Sequence, residues 1–264
     1  MKAYKTGILI AVMSIMVLLN CADNGPVTMF DGRVYDLEAM YDESQPQPPV
    51  VTPQPSDLAA VGKEAPPDAI VLFDGTDLSH WIDGRGNPAG WKVENGYMEV
   101  GARGIRTQQS FGSCELHIEW AAPAVVQGSG QERGNSGVYL MGLYEIQVLD
   151  SYNNPTYPAG MAASVYGQNP PMVNASLPPG EWQSYDIIFR RPVFEEGRIA
   201  SPAAVTVYHN GVLVQDDFKL FGDTVFKKGP EYEEHPDKLP LSLQNHTNPV
   251  RFRNIWIREL PIRQ

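Results

Sequence analysis

The chain predicts an all-β domain, an antiparallel β-sandwich or jelly roll, and three observations carry that prediction. Apolar and polar residues alternate with a period of two through most segments, the pattern of strands with one buried face. The 3.6 period of an amphipathic helix is nearly absent, and no strand–helix–strand alternation is visible. Turn residues are abundant, with 24 glycines and 23 prolines in 264 residues. That supply suits about ten to twelve short strands.

The first element is not part of the sandwich. Lys2 and Lys5 precede thirteen uncharged residues, 7–19, and the run ends at Leu18-Leu19-Asn20-Cys21. This is the basic n-region and apolar h-region of a bacterial export signal, too short for the roughly 20 residues that cross a hydrocarbon core. Cys21 stands where the acylated cysteine of a lipoprotein stands, although Asn20 occupies a place usually held by a small residue. The expectation is an exported lipoprotein of the periplasm or cell surface, held to a membrane through an N-terminal lipid on Cys21. An ordinary secretory signal is the alternative. With Cys21 lipidated or removed, Cys114 has no disulfide partner. It alternates with Leu116, Ile118 and Trp120 and reads as a small buried hydrophobe.

Residues 22–68 carry nine acidic and two basic side chains, with seven prolines between Pro46 and Pro67. Proline supplies no amide donor and interrupts both helix and central strand, so this stretch predicts an extended, poorly packed tether. One domain then runs from about Ala69 to the end. The whole chain is at −11, which leaves −6 for that domain. A negative surface repels phosphate backbones, and neither a phosphate-cradling glycine loop nor a zinc knuckle is present, so no nucleic-acid partner is expected. At 42% hydrophobic residues the chain can build a core without disulfides.

The strands follow in order. Asp68-Ala69-Ile70-Val71-Leu72-Phe73 ends at Asp74-Gly75. Trp91-Lys92-Val93-Glu94 and Tyr97-Met98-Glu99-Val100 flank Asn95-Gly96, the pair suited to a primed turn in which both central residues take positive φ. Residues 114–120 and 136–140 alternate cleanly, and Met141-Gly142 leads from the second into 144–150. Further strands lie at 182–190, 204–210, 212–215 (after Asn210-Gly211), 239–244 and 252–259. Glu115, His117 and Glu119 share one strand face and are expected to line an outer face, with Glu115 and Glu119 in solvent. Glu145 and Gln147 share another, ahead of a loop with Asp150, Tyr152, Asn153, Asn154 and Tyr157. Carboxylate, amide and aromatic groups together are the equipment of a carbohydrate site.

Seven ordered blocks make the domain resemble the 3-keto-disaccharide hydrolase family of exported bacterial proteins. They read Leu72-Phe73-Asp74-Gly75-Thr76-Asp77-Leu78-Ser79-His80-Trp81, the hairpin 91–100, Gly134-Asn135-Ser136-Gly137-Val138-Tyr139-Leu140, Tyr144-Glu145-Ile146-Gln147-Val148-Leu149-Asp150-Ser151, Gly180-Glu181-Trp182-Gln183-Ser184-Tyr185-Asp186, Leu243-Gln244-Asn245-His246 and Val250-Arg251-Phe252-Arg253-Asn254-Ile255. The resemblance covers roughly residues 69–260 and implies a concanavalin A/laminin-G-like jelly roll. Where the family has Asp-His-Gly, this chain has Asn245-His246-Thr247. Residues 223–238 carry no chemistry that the resemblance explains.

The resemblance also implies cleavage of a glycosidic bond in a sugar oxidised to a ketone at C3. Such a ketone acidifies the C2 hydrogen and places the glycosidic oxygen β to the carbonyl, so a general base can drive elimination and water can add afterwards. In this reading Glu145 is the base or acid and His246 its counterpart or the donor to the enolate oxygen. Asp150 orients the loop or joins a metal site. Asn135, Gln147 and Gln244 hold sugar hydroxyls, and Tyr166 and Trp182 offer stacking surfaces. A structural alternative stands beside each: Asn135 as a positive-φ turn residue, Trp182 as core, His246 as a satisfied histidine. No cofactor is fixed by the pattern; a divalent metal could stabilise the enolate, with Glu145, Asp150 and His246 as suitable ligand types. The carbohydrate partner also fits two other classes, a glycan-binding module without turnover and a scaffold subunit of a glycan-utilisation complex.

Overall fold

A computed structural model describes residues 25–261. The signal-like segment and Cys21 lie outside the described residues. Among the described residues no helix is long and apolar enough to cross a membrane.

The chain opens with a short hairpin, β1 (Val27–Thr28) and β2 (Val34–Tyr35). It continues through β3 (Ile70–Phe73), β4 (Trp81–Asp83), β5 (Lys92–Glu94), β6 (Tyr97–Glu99), β7 (Ile105–Phe111), β8 (Cys114–Ala121), β9 (Ser136–Leu140) and β10 (Tyr144–Val148). Then come β11 (Gln183–Arg190), β12 (Val193–Glu195), β13 (Arg198–Ser201), β14 (Ala204–His209), β15 (Val212–Lys219), β16 (Leu239–Leu243) and β17 (Arg251–Glu259). One sheet has five strands in the order β10-β9-β16-β7-β4; the other has eight, β15-β14-β11-β8-β17-β6-β5 with β3 on β17. The pairings between named strands are antiparallel, so the sequence-predicted sandwich is the fold. The strands missing from the sequence reading are short or polar. Ile105–Phe111 carries Arg106, Gln108 and Gln109, which blur its alternation.

The core lies between the sheets, where inward residues of β9 and β10 (Val138, Leu140, Tyr144, Ile146) meet those of β8 and β11 (Leu116, Ile118, Tyr185, Ile187, Phe189). Trp81 and Trp91 are buried; their indole N–H groups donate to the carbonyls of Leu72 (2.8 Å) and Arg103 (2.6 Å). Cys114 is buried too, and burial pushes its thiol up to about 12, well away from reactivity. Asn95 and Gly96 both take positive φ, 48° and 79°, as the predicted primed turn requires.

Two expectations fail together. The stretch predicted as a poorly packed tether is docked on the domain at several points from Tyr35 onward. Buried Tyr35 donates to the Gly167 carbonyl (2.8 Å), Gln47 donates to the Thr156 carbonyl (2.7 Å), the Val51 amide donates to the Asn174 carbonyl (2.9 Å) and the Asn174 amide to the Pro49 carbonyl (2.8 Å). Proline bars this segment from regular ladders but leaves its carbonyls, amides and aromatic rings free to dock singly. The second failure is the solvated face of β8: His117 and Glu119 are fully buried. Gly62 and Lys63 lie over this face. The Gly62 N–H donates to Glu119 (2.6 Å), Lys63 pairs with Asp186 (2.8 Å), and Arg253 and Asn254 bind Glu119 at 2.7 and 2.8 Å. Burial opposes ionisation of Glu119, but those donors together with His117 prevail and hold its carboxyl down at about 2.

Candidate active site

The outer face of the five-stranded sheet carries a cavity of about 390 Å³. Its floor follows from one hairpin. The Met141–Leu143 connection pairs Tyr139 with Glu145 and Gly137 with Gln147, so alternation sends Tyr144, Ile146 and Val148 into the core and Glu145 and Gln147 outward. Residues 161–169 then cover the free edge of β10. The Gln147 amide donates to Ser164, the Ala163 amide to Gln147, and the Tyr166 amide to the Glu145 carbonyl. From the core side, Tyr185 donates to the Gln147 carbonyl at 2.8 Å. Glu145 therefore sits on a strand held on both edges and from below.

Its carboxyl is almost fully buried and accepts one bond, from the Tyr139 hydroxyl at 2.8 Å. Burial raises its pKa to about 8, against the opposing pull of that donor. The space it occupies exists because residue 137 is glycine: a Cβ there would collide with Glu145 Oε1 and stand 2.9 Å from the Tyr139 ring. Gln244 donates to the Tyr139 hydroxyl from its far side (3.1 Å).

Amides surround this carboxyl. Gln147 Nε2 donates to Gln131 Oε1 (3.1 Å), and Asn135 Nδ2 donates to the Gln131 carbonyl (2.8 Å). The side-chain oxygens of Gln147 and Gln244 are buried without any partner. Two unpaired acceptors in a cavity are vacancies for hydroxyl donors. The walls are aromatic. Tyr157 and Tyr166 join their hydroxyls at 2.7 Å, and Tyr41 packs on Tyr157, Tyr166 and Phe226 with ring centroids at 5.1, 6.1 and 5.7 Å.

Glu145, His246, Asn135, Gln147, Tyr166 and Gln244 all line this one cavity. His246 stands exposed at the rim, on a loop in which the Asn245 side-chain oxygen accepts from the Thr247 amide (2.6 Å). An amide oxygen closes that turn as a carboxylate would, so exchanging Asp for Asn keeps the loop's geometry. Thr247 itself adopts φ 65°, the left-handed conformation that glycine would take freely.

Two expected residues are elsewhere. Asp150 is bound to Arg133 (2.7 Å) and to the Tyr152 amide (3.2 Å) and lines a neighbouring cavity, which fits the loop-orienting role and not a catalytic one. Among the described residues no three His, Cys, Asp or Glu side chains converge, so Glu145, Asp150 and His246 do not form one ligand set. Trp182 lies beside the other sheet, its ring under Arg253 (4.2 Å) and Arg251 (5.4 Å) and next to Tyr97, so it is neither core nor cavity wall. Asn135 is not the turn residue; the positive φ belongs to Gly134 (59°).

The sequence reading missed Tyr41, Gln131, Tyr139, Thr224, Phe226 and Lys227, which also line the cavity. Tyr139 was within reach, because a three-residue connection after Leu140 sets it opposite Glu145. Thr224 accepts the Glu145 amide N–H (3.1 Å) from the stretch that carried no assignable chemistry, and no local pattern announces it.

A model of the 3-keto-alpha-glucoside-1,2-lyase-like domain matches residues 68–258. A solved structure of a putative glycosyl hydrolase from Parabacteroides distasonis is 47% identical, covers 82% of this chain and 93% of its own, and superposes with a TM-score of 0.75. A second such structure from the same organism, at 20% identity and TM-score 0.54, covers 79% and 98% and shares the fold. Comparison with the curated proteins gives no match. Landmarks, fold and family model agree: the chain belongs to the 3-keto-alpha-glucoside-1,2-lyase-like family.

Proposed function

We propose that this protein is a carbohydrate-active enzyme that breaks the glycosidic bond of 3-keto-glycosides by elimination, with Glu145 as the base. The observation that carries the reading is Glu145 itself: a buried carboxyl with one hydrogen-bond donor, on the floor of an aromatic-walled cavity beside two unpaired amide oxygens. A carboxylate that burial has made a stronger base matches the weak acidity of a hydrogen α to a ketone far better than an exposed one. The family description and the putative glycosyl hydrolase neighbour support the same substrate class.

Ionised Glu145 takes the C2 proton, and the C–H electron pair becomes the C2–C3 double bond of an enolate. When the C3 carbonyl re-forms, that pair shifts to C1–C2 and the C1–O bond breaks. The departing oxygen takes a proton from His246 at the rim. Water then adds its hydroxyl to C1 and gives its other proton to His246, while Glu145 returns its proton to C2, which gives net hydrolysis and restores both groups; release before that step gives the lyase outcome. The amides of Asn135, Gln147 and Gln244 hold hydroxyls and the enolate oxygen, and Tyr166 stacks on the ring. The pattern that ends at Cys21 supports placing this activity outside the cytoplasm on a lipid anchor; radiolabelled palmitate incorporation, abolished by Cys21→Ala, tests that.

The decisive experiment incubates the purified protein with a 3-keto-glucoside and its unoxidised counterpart. Release from the ketone alone, lost in Glu145→Gln and weakened in His246→Ala, is expected. Binding without turnover of either would make the domain a glycan-binding module instead.

A further inference from the structure

A second cavity, of about 410 Å³, lies across Glu132 from the first, and we propose that it is the subsite for the leaving group: a neutral ring, either a second sugar or an aryl aglycone. The proposal rests on the elimination reading of the first cavity. Glu132 lines both spaces, and the dividing ridge is built from consecutive residues. Asn135 and His246 face the first cavity; their neighbours Gly134 and Thr247 face the second. His246 therefore stands at the border, where the scissile oxygen of a substrate spanning both cavities would lie and where a leaving-group acid is needed.

The chemistry of the lining specifies the guest. Val125 and Val126 are 73% and 47% exposed, an apolar pair that no element among the described residues covers, and they edge this cavity. Opposite them, Arg133 is tied to Asp150 (2.7 Å) and to the Tyr152 carbonyl (3.0 Å), so its charge is spent on the wall. Asn248 accepts from the Gly134 amide (2.6 Å), which fixes the ridge. A ring with an apolar face and a polar edge fits a valine pair on one side and polar groups on the other. Arg133 offsets Asp150, which leaves the Glu132 charge among the described lining residues to disfavour an anionic guest.

The test compares methyl 3-keto-glucoside, which cannot fill the second cavity, with a 3-keto-disaccharide and an aryl 3-keto-glucoside. The wild-type protein is expected to favour the two ring aglycones in kcat/KM. The double variant Val125→Ser, Val126→Ser alters exposed side chains only; it is expected to lower kcat/KM for both ring aglycones about tenfold. The methyl glycoside should stay within about twofold, because the first cavity is untouched. Gln127→Trp, which narrows the same space from its rim, should lower the same ratio. Equal losses on all three substrates, or none on any, would overturn the subsite. Equal wild-type rates on methyl and ring aglycones would overturn it while leaving the reaction in place. No turnover of any ketone by the wild type would overturn both.

Discussion

Glu145 shows how one residue can be costly to a fold and valuable to a site. Its folded pKa, near 8, lies above the ordinary carboxyl value, so the folded state holds its proton more tightly than the unfolded chain does. Its contribution to stability is therefore present in full at low pH. It falls as pH rises from about 4.5 to about 8, because ionising a buried carboxyl costs the fold and not the unfolded chain. Urea titrations at pH 5 and pH 8 should show this decline in the wild type and a smaller one in Glu145→Gln, which should be more stable than wild type by about 1–3 kcal/mol at pH 8. Activity runs the other way. As a base the residue must be ionised, so the rising limb of kcat/KM should climb through pH 7 toward about 8, and Glu145→Gln should lose about a thousandfold. Tyr139→Phe removes the donor that favours the charged form. The rising limb of the pH profile should then move to higher pH, which a merely structural tyrosine would not cause.

At the scale of elements, the site is the outer face of the β9–β10 hairpin and depends on its register. Gly137 leaves the space into which Glu145 folds back beside Tyr139. Gly137→Ala should displace the carboxyl, lower kcat/KM by about tenfold or more, and cost about 1–3 kcal/mol in chemical denaturation. Much of this hairpin was legible in the sequence, because alternation fixes the faces and a short connection fixes the pairing. The burial of His117 and Glu119 was not. Alternation says which residues leave the core; it is silent on whether another part of the chain returns to cover them, as Gly62 and Lys63 do here. Which of its two expected roles Asp150 takes was hidden for a related reason: its partner Arg133 is seventeen positions away and adjacent only once the loops fold. Sequence proximity to Glu145 and Gln147 was a poor guide, since the strand ends between them.

For the whole molecule, the consequential finding is that the family domain does not build its cavity alone. Residues 68–258 carry the sandwich, but Tyr41 comes from the segment before it. Its ring closes the aromatic wall, and its hydroxyl accepts the Lys227 amide N–H at 3.1 Å. Tyr35 and Gly167 anchor the same segment, and Gly167 has no room for a Cβ beside the Tyr41 hydroxyl. The acidic, proline-rich composition that predicts a loose tether thus describes an arm with few but specific attachments. Truncating the ring should separate its two roles. Tyr41→Ala should raise KM for a 3-keto-glucoside about three- to tenfold through the lost stacking face, while kcat changes little and melting falls only slightly. Tyr41→Phe should keep KM near wild type, because the ring remains and only a contact to the Lys227 amide is lost. A chain that begins at Ser56 lacks Tyr41, Glu43 and the contacts that hold them against the cavity. It should keep the sandwich's circular dichroism and lose more activity than Tyr41→Ala. Equal KM values for the full chain and the shortened one would show that the arm only covers the domain and takes no part in holding substrate.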